Sequence, residues 1–248
     1  MRQTRLLMGM PITVEVVDDV SDTLIDEVFA YFDYVDRKFS VYKADSEISR
    51  INDRRQSLEQ SSDDMRAIFA LAEETRQQTF GFFDITRNGT IDPSGIVKGW
   101  AIFEAAEILR RHGCRNYYVD AGGDVQVGGV NSQGRCWRVG IRNPFDLHEI
   151  VKVLVLSDAG VATSGTSIRG QHIYNPHDDA GRPLDDVVSL TVVGPNIYEA
   201  DRFATAAFAM GRSGVAFIEA LPGLEGYQID AKRRATFTSG FARFLGHA

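Results

Sequence analysis

The chain has 248 residues, 44% of them hydrophobic, which is enough for a sizeable core in one large domain or two small ones. Lys and Arg number 27 against 34 Asp and Glu, a net charge of −7, so the surface repels polyanions and nucleic acid is excluded as a natural partner. Cys114 and Cys136 are too few for a disulfide framework or a Cys-rich metal centre, and the opening residues lack a secretory apolar run or a cysteine for lipidation, so the expectation is a cytoplasmic protein without a membrane anchor.

In chain order, a short strand is predicted over 12–17. Ser21 then reads as the N-cap of a helix with Leu24, Val28, Phe32 and Val35 at helical spacing. A second helix is predicted after Ser62, with Asp63 and Asp64 in its first turn, and a third over 95–112 with Gly113 as its stop. From 116 to 193 short apolar runs alternate with Gly, Asn, Pro and Asp, which predicts strands at 117–120, 137–141, 151–156 and 187–193. A helix bearing Asp201 follows, and 226–230 with 235–238 read as a closing hairpin pair. No repeat or linker composition interrupts the chain, so the expectation is one α+β domain over 1–248, a mixed sheet clothed by helices.

Four stretches could carry chemistry. Asp201 and Thr205 are one helical turn apart, so a carboxylate and a hydroxyl share a face. They suit a hard cation such as Mg2+, or else a first-turn acid favoured by the helix dipole beside a threonine bonded back to a carbonyl. The run from Asp92 through Pro93, Ser94 and Gly95 to Lys98 leads into a helix whose start, helped by the lysine, could hold a phosphate; the alternative is a helix cap and a solvated lysine. Gly122 and Gly123, followed by Asp124, allow either close approach of a ligand or a plain hairpin turn, and the spacing is not that of a dinucleotide fingerprint. In the cluster 162–176, His172 follows a polar, glycine-bearing loop and sits just before a short predicted strand, where it could serve as a general base or a phosphate contact, or be structural. Ser164 lacks the surroundings of a hydrolase nucleophile.

In that order these stretches resemble the FAD:protein FMN transferases, the ApbE-like flavin transferase family, along nearly the whole chain. The resemblance begins at Met8-Gly9 and continues through Phe39-Ser40-Val41-Tyr42 (family FSxY) and Asp45 to Asn52 (DSEISRLN). Next come Phe83-Asp84-Ile85-Thr86, the Asp92 to Gly99 loop (DLGGIAKG) and Asp120 to Asp124 (NAGGD). Ala162 to Gly165 (ATSG), His172 to Pro176 (HIIDP) and Glu199 to Thr205 (EADxxxT) complete it. It implies a mixed, largely antiparallel sheet flanked by helices. It also implies Mg2+, with Mn2+ as an alternative, held by Asp201, Thr205 and a main-chain oxygen at Gly95. FAD contacts are implied at Met8, Tyr42, Phe83, Asp84, Ile85, Asp92, Lys98, His172 and Ile173. The implied reaction is attack by a Thr or Ser hydroxyl of an acceptor flavoprotein on the FMN-side phosphorus of FAD, releasing AMP. His172 is the candidate base, with Asp124 as a supporting carboxylate.

Three departures stand out. Only a short turn, 85–91, joins Phe83-Asp84 to Asp92, where relatives insert a longer segment, so a wall of the flavin pocket or an acceptor-docking surface is expected to be absent or supplied by a second subunit in a homo-oligomer. Asn175 replaces the aspartate of HIIDP, and Pro93 and Ser94 replace residues of the phosphate loop. Two further functions fit the same residues: an FAD pyrophosphatase yielding FMN and AMP, and a flavin-binding module without chemistry.

Overall fold

The structure, a computed structural model, describes residues 1–166, 173–177, 184 and 186–246. Two strands, β1 (Arg2–Leu7) and β2 (Met10–Val16), open the chain and pair antiparallel. α1 (Asp22–Phe39) starts where Ser21 Oγ accepts the Leu24 N–H, and its face of Leu24, Ile25, Val28, Phe29, Phe32 and Val35 is buried. α2 (Glu47–Asn52) and α3 (Asp63–Gln78) follow, capped by Ser46 and Ser62. A small hairpin, β3 (Thr86–Arg87) and β4 (Thr90–Ile91), leads into α4 (Ser94–Arg111), which ends at Gly113 with φ +85°.

The remaining strands are β5 (Tyr117–Ala121), β6 (Asp124–Gly128), β7 (Trp137–Asn143), β8 (Asp146–Leu156), β9 (Ala159–Gly165) and β10 (Val187–Gly194). Helices α5 (Ile197–Ala209) and α6 (Gly214–Glu219) precede β11 (Glu225–Asp230) and β12 (Ala235–Phe237). Eight strands form one sheet in the order β1-β2-β5-β6-β9-β10-β11-β12, and β7 pairs with β8 separately. The expected α+β class holds, and the sheet expected to be mixed is antiparallel in every described pairing. Gly122 and Gly123, at φ +65° and +100°, form the two-residue turn joining β5 to β6. Positive φ at both positions suits a two-residue hairpin turn that follows the right-handed twist of its strands, so the paired glycines do form the hairpin.

Three expectations change. β1, α2, α6 and the β3–β4 hairpin, the last in a segment read as a turn, are additional elements; the start of the expected loop, 162–165, belongs to strand β9; and the described residues 173–177, where a short strand is expected after His172, form a coil and a turn. Two cores flank the sheet. α1, α4 and α5 cover one face over Ile12, Val14, Val119, Leu190 and Val192, and the β7–β8 hairpin covers the other over Val125, Val127, Val161, Tyr227 and Ile229. Among the described residues no helix is long and apolar enough to cross a membrane.

Glu47 shows how the small helices are locked together. It is buried, and its two oxygens accept the Ser62 N–H at 2.6 Å and the Ser62 hydroxyl at 2.7 Å, tying α2 to the start of α3. Glu47→Ala would strand both donors and is expected to lower stability by about 1–3 kcal/mol; a urea melt with an unmoved midpoint would contradict this role.

Candidate active site

The turn between β1 and β2 puts Met8, at φ +52°, beside the C-terminal end of α1. Val35, Phe39 and Val41 form an apolar wall there, and Tyr42 stands 95% exposed at the rim. With Asp92, Ser94, Val97 and Lys98 these residues enclose a cleft of about 460 Å³. A second lobe of about 500 Å³ adjoins it, lined by Phe83, Asp84, Ile85, Gly95, Ile173 and Thr205 among others. Tyr42, Asp92 and Ser94 belong to both lobes and form the ridge between them. Asp92 is fixed by its own N–H, which donates to Ile85 O at 2.7 Å, and by its Oδ1, which accepts the Ser94 N–H at 3.0 Å at the start of α4.

Behind the ridge lies a buried charged cluster. Lys98, one turn into α4, contacts Asp124 Oδ2, and its Nζ is 3.3 Å from Asp201 Oδ1. Asp201 Oδ2 accepts the Gly99 N–H at 2.8 Å, and Asp124 Oδ1 accepts the Thr163 N–H at 2.9 Å. Both carboxylates are almost wholly buried, with 2% and 3% of their surface exposed. Burial raises the Asp201 carboxyl above the usual carboxylate range, Lys98 draws it partly back, and neighbouring Asp124 pushes it up again. Asp201 lies in the second turn of α5, whose N-cap is Asn196, so the helix-dipole account of this acid fails. Lys98 is no solvated charge either.

The approach of the helices depends on Gly99. A Cβ there would lie 2.6 Å from Asp201 Cβ and 3.1 Å from Ile197 O, so the space a side chain would need is filled by α5. Gly95 faces Thr205 and Phe83 more loosely: a Cβ there would make ordinary contact, with Thr205 Cγ2 at 3.6 Å and Phe83 at 3.4 Å. Thr205 Oγ1 is 3.4 Å from Ser164 Oγ, which reaches in from β9.

The predicted residues Met8, Tyr42, Phe83, Asp84, Ile85, Asp92, Lys98 and Ile173 thus all line the two-lobed cleft, and Gly95 and Thr205 line its second lobe. Asp124 and Asp201 sit behind it. His172 lies outside the described residues. Arg87 and Tyr174, with the guanidinium 4.0 Å from the ring centroid, add a wall to the second lobe that the sequence reading missed. Tyr174 adjoins the flagged Ile173, a signal that was there to follow; Arg87 had none.

The fold is that of the flavin transferase ApbE from Vibrio cholerae, which superposes with a TM-score of 0.85 over 99% of each chain at 24% identity. A model of the ApbE family matches residues 8–89 and 86–228, the two matches meeting in the β3–β4 hairpin. This chain belongs to the ApbE family. The FAD:protein FMN transferase of Vibrio cholerae is 33% identical over 168 residues, covering 62% of this chain and 50% of the relative. That of Haemophilus influenzae is 25% identical over 274 residues, covering 82% of this chain and 79% of the relative. The chain spans about half the length, or less, of the first curated relatives it matches.

Proposed function

We propose that this chain is an Mg2+-dependent FAD:protein FMN transferase that moves FMN from FAD to a Thr or Ser hydroxyl of an acceptor flavoprotein and releases AMP. The observation that carries this reading is the Lys98–Asp124–Asp201 cluster buried directly behind a ridge shared by two lobes, each of a size for one ring system of a dinucleotide. Family membership and the names of the relatives support it.

The residues present fit a hard divalent cation. Among the described residues no three His, Cys, Asp or Glu side chains group as a metal cluster, so a cation here would draw on mixed oxygen donors: the Asp201 carboxylate, the Thr205 hydroxyl and the Gly95 carbonyl. Two buried carboxylates share one ammonium, which leaves negative charge that such an ion would balance. When bound, the cation would neutralise the pyrophosphate and stabilise the charge that develops as the phosphate bridge breaks.

The chain's own residues do the rest. Lys98, held by Asp124 at the boundary between the buried cluster and the cleft, can present its ammonium to a phosphate. Tyr42 offers an exposed aromatic face to a ring, and Phe83, Ile85 and Ile173 supply apolar contact that excludes water. The acceptor hydroxyl oxygen attacks the FMN-side phosphorus, the bond from that phosphorus to the bridging oxygen breaks, AMP departs with that oxygen, and the hydroxyl proton passes to a base. His172 is proposed as that base on the resemblance alone. Mg2+, with Mn2+ as the alternative cation, and a cytoplasmic setting belong to the same proposal.

The test is incubation with FAD and Mg2+, with and without an acceptor domain, followed by AMP chromatography and in-gel flavin fluorescence. AMP that appears only with acceptor, together with covalently fluorescent acceptor, is the expected result. AMP without acceptor would identify a pyrophosphatase, and FAD binding without AMP a non-catalytic flavin protein.

A further inference from the structure

We infer that Asn52 is a positioning residue of the cleft: its side-chain amide acts as an extra strand of the β3–β4 hairpin and thereby holds the Asp92 ridge in place. The inference rests on the proposal that this cleft binds FAD. Asn52 Nδ2 donates to Ile91 O at 2.9 Å, and the Ile91 N–H donates to Asn52 Oδ1 at 2.8 Å. One primary amide thus engages both backbone groups of a single residue, the pairing that an antiparallel neighbour would otherwise supply. An aspartate has no donor for the carbonyl. An alanine has neither group.

The direction of support follows from what each partner is fastened to. α2 is anchored: Ile48 is fully buried, Ser46 caps the helix, and Glu47 grips Ser62. The hairpin is held less firmly: residues 86–90 are exposed, and besides the packing of half-buried Ile85 and Ile91 on the core its ties among the described residues include the Asp92 N–H to Ile85 O, the Thr86 N–H to Asp84 Oδ1, and the Arg87–Tyr174 stack. Position is therefore transmitted from the core through α2 and Asn52 to Ile91, and from there to the adjoining Asp92. Asp92 and Ser94 are, with Tyr42, the residues common to both lobes. The Lys98–Asp124–Asp201 cluster is built on α4, β6 and α5 and does not depend on this tie. Loss of the amide should loosen ligand binding and spare the chemical step.

The experiment compares wild type with Asn52→Ala and Asn52→Asp. It measures FAD Kd by flavin fluorescence, KM and kcat for AMP release, the thermal midpoint, and hydrogen exchange of the Ile91 amide. For Asn52→Ala, Kd and KM for FAD should rise about tenfold, the scale of one or two net hydrogen bonds, with kcat changed by less than about twofold. Ile91 exchange should accelerate while the thermal midpoint moves little, and Asn52→Asp, which keeps the acceptor for the Ile91 N–H, should fall between. FAD affinity unchanged in Asn52→Ala would overturn the inference, as would kcat falling in step with affinity alongside a large drop in the midpoint. Wild-type protein that binds no FAD would sink the functional proposal, and this role with it, before any substitution is made.

Discussion

Asp201→Ala is expected to abolish Mg2+-dependent AMP release while leaving the fold standing. The carboxylate is the one charged group in the proposed cation set, and removal of a preorganised charged group from a site that excludes water costs on the order of 100-fold or more in turnover. Stability should change far less. The Gly99 N–H loses its acceptor at Asp201 Oδ2, worth roughly 1–3 kcal/mol. Against this, the cluster goes from two carboxylates on one ammonium to a single buried pair of Lys98 and Asp124, which removes a carboxylate that burial and Asp124 both disfavour. A net change within about 2 kcal/mol follows. Asp201→Asn separates the two effects, because the amide keeps an acceptor for Gly99 without the charge. Isothermal titration with Mg2+ and a urea melt of both variants are the checks. Undiminished metal-dependent turnover in either variant would remove Asp201 from the site.

The second large effect belongs to a residue with no functional group. Gly99→Ala would drive a methyl to 2.6 Å from Asp201 Cβ and 3.1 Å from Ile197 O. Neither atom is the free end of a flexible side chain, so α5 must move away from α4. Overpacking of this kind costs about 1–3 kcal/mol, of which the better helix propensity of alanine returns at most about 1 kcal/mol. Because α4 carries Gly95 and Lys98 while α5 carries Asp201 and Thr205, the same shift separates the groups proposed to act together. Misplacement of the order of 1 Å is enough to lower turnover by about 100-fold. Melts and AMP-release kinetics should therefore show a loss of rate much larger than the loss of folded protein. A variant as active as wild type would mean that the two helices have room the geometry denies.

These two residues also mark what the sequence could and could not disclose. α1 was legible because Ser21 and the apolar spacing from Leu24 to Val35 agree on one helix, and the helix over 95–112 differs from α4 by a residue at each end. β1 was not: its six residues, RQTRLL, alternate between exposed and half-buried at the margin of the sheet, but polar side chains occupy both faces, so the residue types carry no apolar alternation to signal a strand. α2 is too short to show a period. β9 is made of Ala, Gly, Val, Thr and Ser; α5 presses on it closely, as the 2.0 Å from a Cβ on Gly160 to Ile197 N shows, and the small residues this requires imitate a loop. In the site, the helical spacing of Asp201 and Thr205 was readable, but the meeting of Asp201 with Lys98 and Asp124 joins three elements distant in sequence. Only the order of motifs, matched to a family, suggested it. The Arg87–Tyr174 wall joins the β3–β4 hairpin to a residue distant in sequence, and motif order says nothing of it.

The two cores on opposite faces of the sheet divide the chain's labour. Among the described residues, none that lines the cleft belongs to the core beneath the β7–β8 hairpin. That half of the molecule can accumulate stabilising exchanges at Val139, Ile141, Leu154 or Phe241 without the loss of activity that usually accompanies thermostabilisation near a reaction centre. It is a reservoir of mutational tolerance, from which drift in the helical face could be offset over evolutionary time.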